Sequence, residues 1–165
     1  MSIKLIVLDV DGTMTDGKII YSENGDEIKA FCVKDGLAIA SWIRLGKEVA
    51  IITGRRSKIV ERRAKELGIT HYYQGVKNKK EVLDELLSTL NLEPKNVASI
   101  GDDLNDHPML ISSKISFAPL NANHYILGIV NVVLSKNGGD GAVREMIEQL
   151  ILQEGLEEAY LKLWQ

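Results

Sequence analysis

At 165 residues the chain is long enough for one hydrophobic core and short for two, so a single domain over residues 1–165 is expected. A formal net charge of -3 and a pI near 5.7, with lysines and arginines scattered among acidic neighbours, leave no basic face for nucleic acid. The lone Cys32 cannot form an internal disulfide, no N-terminal segment is laid out as a signal peptide, and the longest apolar stretch, Tyr125–Leu134, falls well short of the roughly 20 residues of a membrane span; a cytoplasmic location is expected.

Leu5–Leu8 is a short apolar run that reads as a strand buried on both faces, and it stops at two acidic residues one position apart, Asp9 and Asp11, before Gly12-Thr13. Asp9 and Asp11 therefore fall at the carboxyl end of a central strand, where open α/β sheets place their ligands. Lys18–Ser22 and Glu27–Val33 flank Asn24-Gly25, a strong turn signal, so residues 18–33 read as a hairpin inserted before the first helix. That helix is expected to start at Asp35 as N-cap and to run to Leu45, with Gly46 just past its end. Glu48–Thr53 is a second buried strand, and Gly54-Arg55-Arg56-Ser57 leads into a helix that ends at Leu67-Gly68.

His71–Gln74 reads as a short strand, Asn78–Leu90 as an amphipathic helix, and Val97–Gly101 as another buried strand ending in acidic residues. Ile115–Ala118 and Asn131–Leu134 are two more strands, with a brief helix near Asn121–Tyr125 between them, and Gly141 opens the last helix, which reaches about Glu154. Residues 155–165 form an amphipathic tail ending in Leu163-Trp164, suited to docking on another surface. Strands alternating with helices of this length predict a doubly wound, mostly parallel, Rossmann-like α/β sheet. No repeat, linker or low-complexity segment interrupts it.

The strand ends line up a set of groups for phosphoryl transfer: Asp9 and Asp11, then Thr53-Gly54, then Lys79 at a helix start, then Gly101-Asp102-Asp103. A phosphate monoester dianion repels an attacking carboxylate, so the site must first supply positive charge. Mg2+ held by the carboxylates of Asp9 and Asp102 and the backbone of Asp11 would do so, with Lys79 as a second cation. The Thr53 hydroxyl and the N–H groups around Gly12 and Gly54 can hold phosphoryl oxygens. Asp9 can then attack phosphorus while Asp11 protonates the leaving alcohol and later deprotonates water. Lys77 and Lys80 stand close to Lys79, and Asp103 and Asp106 are candidates for ordering the water shell of the metal. Taken singly, each motif also has a plainer reading, as an acidic turn, a helix cap or a solvated charged face.

Together, Asp9-Val10-Asp11-Gly12-Thr13, Thr53-Gly54, Gln74-Gly75-Val76-Lys77-Asn78-Lys79 and Gly101-Asp102-Asp103-Leu104-Asn105-Asp106 resemble the four motifs of the haloacid dehalogenase superfamily of aspartate-nucleophile phosphatases. Between these motifs there is no room for a separate cap domain. Further runs, among them Lys29-Ala30-Phe31, Val33-Lys34-Asp35-Gly36, Ala50–Arg55 and Gly138–Glu145, resemble the 3-deoxy-D-manno-octulosonate 8-phosphate phosphatase family over about residues 3–150. The resemblance implies a homotetramer built on the hairpins, with Gly138–Glu145 acting partly as a cap in trans. Arg55, just past the phosphate-holding Thr53-Gly54, is expected to reach the substrate's carboxylate, with Arg63 one or two helical turns on as a second contact and Arg144 as a further one; the plainer reading of Arg55 is a surface ion pair with a residue such as Glu61. Asp140 stands where that family often has arginine. Phosphatases of nine-carbon sialic-type 9-phosphates, a broad-specificity monoesterase and a non-catalytic subunit of the same fold are the competing readings, and Arg55, where the nine-carbon group typically has glutamate, favours the eight-carbon substrate.

Overall fold

The computed structural model describes residues 2–165. Six strands, β1 (Leu5–Leu8), β4 (Glu48–Ile52), β5 (His71–Tyr73), β6 (Val97–Ile100), β7 (Ile115–Ala118) and β8 (Val132–Val133), form one sheet in the order β5-β4-β1-β6-β7-β8, with every pair parallel. The inserted β2 (Ile20–Tyr21) and β3 (Glu27–Ile28) pair antiparallel outside it. The helices are α1 (Val33–Arg44), α2 (Lys58–Leu67), α3 (Lys79–Leu90), α4 (His107–Ile111), α5 (His124–Leu127), α6 (Ala142–Gln153) and α7 (Glu157–Lys162).

Alternation along the strands feeds two cores. Ile6, Leu8, Val49, Ile51 and Ile100 pack with Ala38, Ile39 and Trp42 of α1, Val60 and Ala64 of α2, and Met146, Ile147 and Leu150 of α6. Leu5, Val7, Ala50, Ile52 and Val97 face the other way, against Leu83, Leu86 and Leu87 of α3 and Met109 of α4. The chain winds from β1 outward to β4 and β5, then returns to place β6 on the other side of β1. The loops after β1 and β6 consequently diverge and leave a crevice between them, the switch point of a doubly wound sheet.

The helix termini follow from local chemistry. Ser57 caps α2 by accepting from the Ile59 N–H, and Asn78 caps α3 by accepting from the Glu81 N–H. Gly68 ends α2 at φ +79°, a left-handed position that glycine takes without strain. Three expectations are corrected here. Helix α1 starts at Val33, because the hairpin pairs only two residues on each side and releases the chain early, so Asp35 lies in the first turn and does not cap its own helix. Its Oδ1 instead accepts from the Arg144 N–H of α6 at 2.9 Å. Phe31, whose alternation with Ile20 and Ile28 in sequence predicts it among the apolar residues that the hairpin exposes, is instead packed against the core. Beyond α6 the tail forms α7, which seats Tyr160 in the core, gives the Leu163 carbonyl to Arg44 at 3.1 Å and lays Trp164 under that guanidinium. Among the described residues no helix is long and apolar enough to cross a membrane.

Asp35 is 2% exposed and its Oδ2 has no partner, so burial pushes its pKa up to about 6, against the hydrogen bonds from α6 that favour the charged form. The folded state therefore keeps a proton that the unfolded chain has already lost above its ordinary pKa, and this group makes stability fall as pH rises from about 4 to 6. Above that window the ionised carboxylate costs on the order of 3 kcal/mol relative to an unperturbed one. In urea unfolding at a series of pH values, Asp35→Asn is expected to remove this contribution, so that the stability difference between variant and wild type grows in the variant's favour between pH 4 and 6 and is flat above it.

Candidate active site

Strand β1 delivers Asp9 to the crevice, with its N–H bonded to the Ile100 carbonyl of β6 at 3.1 Å. The chain then curls back on itself, the Val10 carbonyl accepting from the N–H groups of Thr13, Met14 and Thr15. Gly12 makes the turn possible. Its φ is +101°, and a Cβ there would lie 2.0 Å from Asp102 Oδ2, so only glycine lets the loops after β1 and β6 approach this closely. Thr13 Oγ1 completes the junction by donating to Asp102 Oδ1 at 3.3 Å.

Lys79 is the first residue of α3 and is 1% exposed. Its Nζ donates to Asp9 Oδ1 at 2.6 Å and to Asp106 Oδ1 at 2.5 Å. Burial alone would lower its pKa, but the charges of Asp9 and Asp106 and their hydrogen bonds hold it above the ordinary lysine value. Lys77 and Lys80 are exposed, and Lys80 pairs with Asp84 along the helix, so the position at the helix start separates Lys79 from its neighbours.

Asp106 is fully buried and its second oxygen accepts from the N–H groups of Asp102 at 2.9 Å and Asp103 at 3.2 Å. With both oxygens engaged, it shapes the loop and anchors Lys79. Asp103 is exposed and caps the short turn that follows by accepting from the Leu104 N–H. Asp9, Asp102 and Asp106 nonetheless bring carboxylate oxygens within 4.8 Å of one another. Burial, then the neighbouring charge of Asp106, push Asp9 well above the carboxylate range, and the same two causes in the same order raise Asp102 to about 6. Crowded, hard oxygen donors whose charge is penalised in this way fit a divalent cation such as Mg2+, with the side chains of Asp9 and Asp102 as the ligands left available.

The remaining predicted residues separate into two groups. Thr53 is buried at the end of β4, its backbone fixed by the Tyr73 carbonyl and the Val76 N–H, and Gly54 is open beside it. Arg55 is half-exposed; it pairs with Glu27 of the hairpin at 3.6 Å, while Glu61 is taken by Lys65. Arg63 and Arg144 are elsewhere. Arg63 lies over the Phe31 ring and so close to Gly36 that a Cβ there would be 2.4 Å from its Nη2, and it makes no hydrogen bond or ion pair with the acidic cluster. Arg144 donates to Glu148 at 2.5 Å and borders a separate cleft of about 510 Å3 that Cys32, Lys136 and Asp140 also line. Gly138 and Gly139 pack on this chain's own turn after β1: the Gly139 N–H donates to the Thr13 carbonyl at 3.0 Å, and a Cβ on Gly138 would lie 1.8 Å from the Gly12 carbonyl oxygen.

One further residue enters from the hairpin. The Lys29 side chain is 1% exposed, with its Nζ 2.5 Å from Asp11 Oδ1 and 2.9 Å from Glu27 Oε1. Burial opposes its charge, but the hydrogen bonds to Asp11 and Glu27 outweigh that and raise its pKa. Its signal in the sequence is a lysine two positions after a glutamate in a short strand, which puts both on the same side of the ribbon.

Comparison with known proteins agrees with this geometry. Over 159 residues, 96% of this chain and 85% of the relative, the sequence is 45% identical to 3-deoxy-D-manno-octulosonate 8-phosphate phosphatase KdsC of Escherichia coli strain K12. The chain belongs to this family. Residues 73–147 also match the haloacid dehalogenase-like hydrolases as a wider group. Among solved structures, the family member from Yersinia pestis superposes with a TM-score of 0.93 at 45% identity, covering 94% of this chain and 84% of that one. The family member from Moraxella catarrhalis, determined with magnesium, phosphate and 3-deoxy-D-manno-octulosonate (KDO), gives 0.95 at 40% identity and covers 99% of this chain and 94% of that one.

Asp103 and Asp106 are adjacent in the fold yet differ in what they hold. Asp106→Ala is expected to destabilise the protein by about 3 kcal/mol, since it strips a buried ammonium of one partner and leaves two N–H groups unpaired. Asp103→Ala should cost about 1 kcal/mol, the loss of a cap. Urea unfolding of the two variants side by side checks the ratio.

Proposed function

We propose that this protein hydrolyses 3-deoxy-D-manno-octulosonate 8-phosphate to KDO and inorganic phosphate, in a Mg2+-dependent reaction that serves lipopolysaccharide precursor synthesis. The observation that carries this reading is the 40% identity over nearly the whole chain to a phosphatase structure that contains magnesium, phosphate and KDO. The cluster at the switch point supports it, since it supplies a buried carboxylate beside a buried ammonium, a second carboxylate on the adjoining turn and a hard-oxygen cation site.

Asp9 is the nucleophile in this scheme. Lys79 donates to its Oδ1 and holds the carboxylate in the crevice. As a carboxylate oxygen of Asp9 bonds to phosphorus, the bond to the sugar oxygen breaks and Asp11 gives the departing alkoxide a proton. In the second half Asp11 takes a proton from water as the water oxygen bonds to phosphorus and the aspartyl-phosphate bond breaks. Lys79 holds charge on the phosphoryl group in both halves, and Thr53, Gly54 and the N–H groups about Gly12 bind its oxygens. Mg2+, held by Asp9, Asp102 and the backbone of Asp11, supplies the positive charge that keeps these carboxylates ionised and screens the dianion.

Arg55 recognises the sugar-acid carboxylate, a planar fork suited to that group. Arg63 and Arg144, as placed in the single chain, are occupied at Phe31 and Glu148, so a role for either in substrate binding requires a rearrangement or a neighbouring subunit. The whole chain works as one domain with an inserted ribbon, and the unpaired Cys32 fits a reducing, cytoplasmic setting.

The assay is phosphate release from KDO 8-phosphate with and without Mg2+. Asp9→Asn should abolish turnover while the protein remains folded, and chelation should abolish turnover reversibly. Arg55→Ala should raise KM for KDO 8-phosphate about tenfold, the equivalent of about 1.4 kcal/mol, and leave p-nitrophenyl phosphate nearly unaffected. A wild-type protein that prefers a nine-carbon 9-phosphate, or an Asp9→Asn variant within tenfold of wild type, would overturn the substrate or the nucleophile respectively.

A homotetramer is proposed as well. The hairpin exposes Ile19, Ile20, Tyr21 and Ile28 together, and an isolated two-stranded ribbon is marginal in water. Sedimentation velocity at micromolar protein should show a species near four times 18.3 kDa; a monomer alone would rule the assembly out, and charged substitutions at Ile20 and Ile28 should dissociate it.

A further inference from the structure

The hairpin also reaches inward. Lys29, one residue past β3, places its ammonium 2.5 Å from Asp11 Oδ1, and Glu27 on the same side of the ribbon joins that ammonium at 2.9 Å and Arg55 at 3.6 Å. Asp11, by contrast, sits on a turn, with a side chain that is 17% exposed and has no hydrogen-bond partner other than Lys29 among the described residues. Without that contact its carboxyl group would be free to rotate. Burying an ammonium costs several kcal/mol unless it is fully paired; this one is paired only with a proposed proton-transfer group and with the residue that holds a proposed specificity group.

We propose that Lys29 is a positioning residue for hydrolysis: it pins Asp11 by Oδ1 and so presents Oδ2 to the oxygen that leaves and then to the water that attacks. The proposal rests on the phosphatase reading and on Asp11 as its proton carrier. The contact suits both halves of the reaction. A carboxylic acid accepts through its carbonyl oxygen while its hydroxyl donates, and a carboxylate accepts through either oxygen, so the Lys29 hydrogen bond to Oδ1 persists whether or not Oδ2 carries the proton. In the first half the Oδ2 proton passes to the sugar alkoxide as the phosphorus–oxygen bond to it breaks and the bond to Asp9 forms. In the second, a water proton passes to Oδ2 as the bond to Asp9 breaks. No other reactant is required.

Leaving-group dependence separates positioning of a proton donor from general support of the fold. An alkoxide needs a proton in order to leave, whereas p-nitrophenolate leaves readily without one, and kcat/KM reports only the steps up to that departure. Lys29→Gln is expected to lower kcat/KM for KDO 8-phosphate by about tenfold or more, a share of the roughly 10²–10⁴ that proton transfer contributes, and to lower it clearly less, within about threefold, for p-nitrophenyl phosphate. Lys29→Arg, which restores a cation, should recover most of the loss. Glu27→Gln is the control for the indirect route, since it loosens Arg55 while leaving Lys29 on Asp11; its effect should appear in KM for the sugar acid. Equal losses on the two esters in Lys29→Gln, no loss on the sugar phosphate, or a loss matched in full by Glu27→Gln would overturn the proposal. Asp11→Asn must show the same selectivity more strongly. If it does not, the proton-carrier assignment itself fails, and if wild type rejects KDO 8-phosphate the substrate reading fails while the Lys29 comparison proceeds on whichever alkyl phosphate is hydrolysed.

Discussion

The ammonium of Lys79, buried between Asp9 and Asp106, is the interaction on which the rest of this structure depends. It permits two carboxylates to sit in the interior of the sheet's crevice, and through Asp106 it fixes the loop that brings Asp102 to the same place. The charge balance it leaves is incomplete. Asp9, Asp11, Asp102 and Asp106 face only Lys79 and Lys29 at close range, so two negative charges stay uncompensated, and burial, with this excess charge as the second cause, raises the pKa values of Asp9 and Asp102. A divalent cation would cancel it. A phosphate dianion then meets a neutral site with hydrogen-bond donors around it, which is the electrostatic condition for attack by a carboxylate.

Two close backbone approaches make this crowding possible. Gly12 lets the turn after β1 touch Asp102, and Gly138 lets the loop before α6 rest on Gly12 itself. Behind that loop stands Asp35, whose carboxyl joins the start of α1 to the start of α6. A buried carboxylate with one oxygen unpaired is an expensive way to join two helices. Its position explains it, because α1 begins where the hairpin ends and α6 begins where the 138–141 loop ends, so the contact fixes two segments that both border the turn after β1.

The order of strands and helices was legible in the sequence because apolar periodicity and capping residues agree along the chain, as at Ser57, Asn78 and Gly68. The acidic residues at strand ends were legible for the same reason: a buried parallel strand has a defined end, and whatever follows it enters the crevice. Side-chain direction was not. Asp35 precedes a helical run and has the chemistry of an N-cap, but tertiary pairing with α6 claimed it. Arg63 and Arg144 are spaced along helices in a way that fits many faces, and only the packing shows one over Phe31 and the other on Glu148. Lys29 gives no signal of its direction in the sequence, because a lysine in a short ribbon ordinarily lies in solvent. The tail carried an amphipathic signal without an address, and Tyr160 and Trp164 supply it within the same chain.

The ribbon joins two requirements that are usually separate. Its outward side carries Ile20 and Ile28, which are exposed in the single chain, while Glu27 and Lys29 on its inward side hold Arg55 and Asp11. Only two residue pairs hold the strands together, and a ribbon that short has little stability of its own. Opposite sides of one thin element cannot be ordered independently: whatever covers Ile20 and Ile28 also limits how far Lys29 can drift from Asp11. Order in the ribbon therefore reaches the crevice through Lys29 and is felt at Asp11 before it is felt at Asp9, which Lys79 and the sheet hold from within.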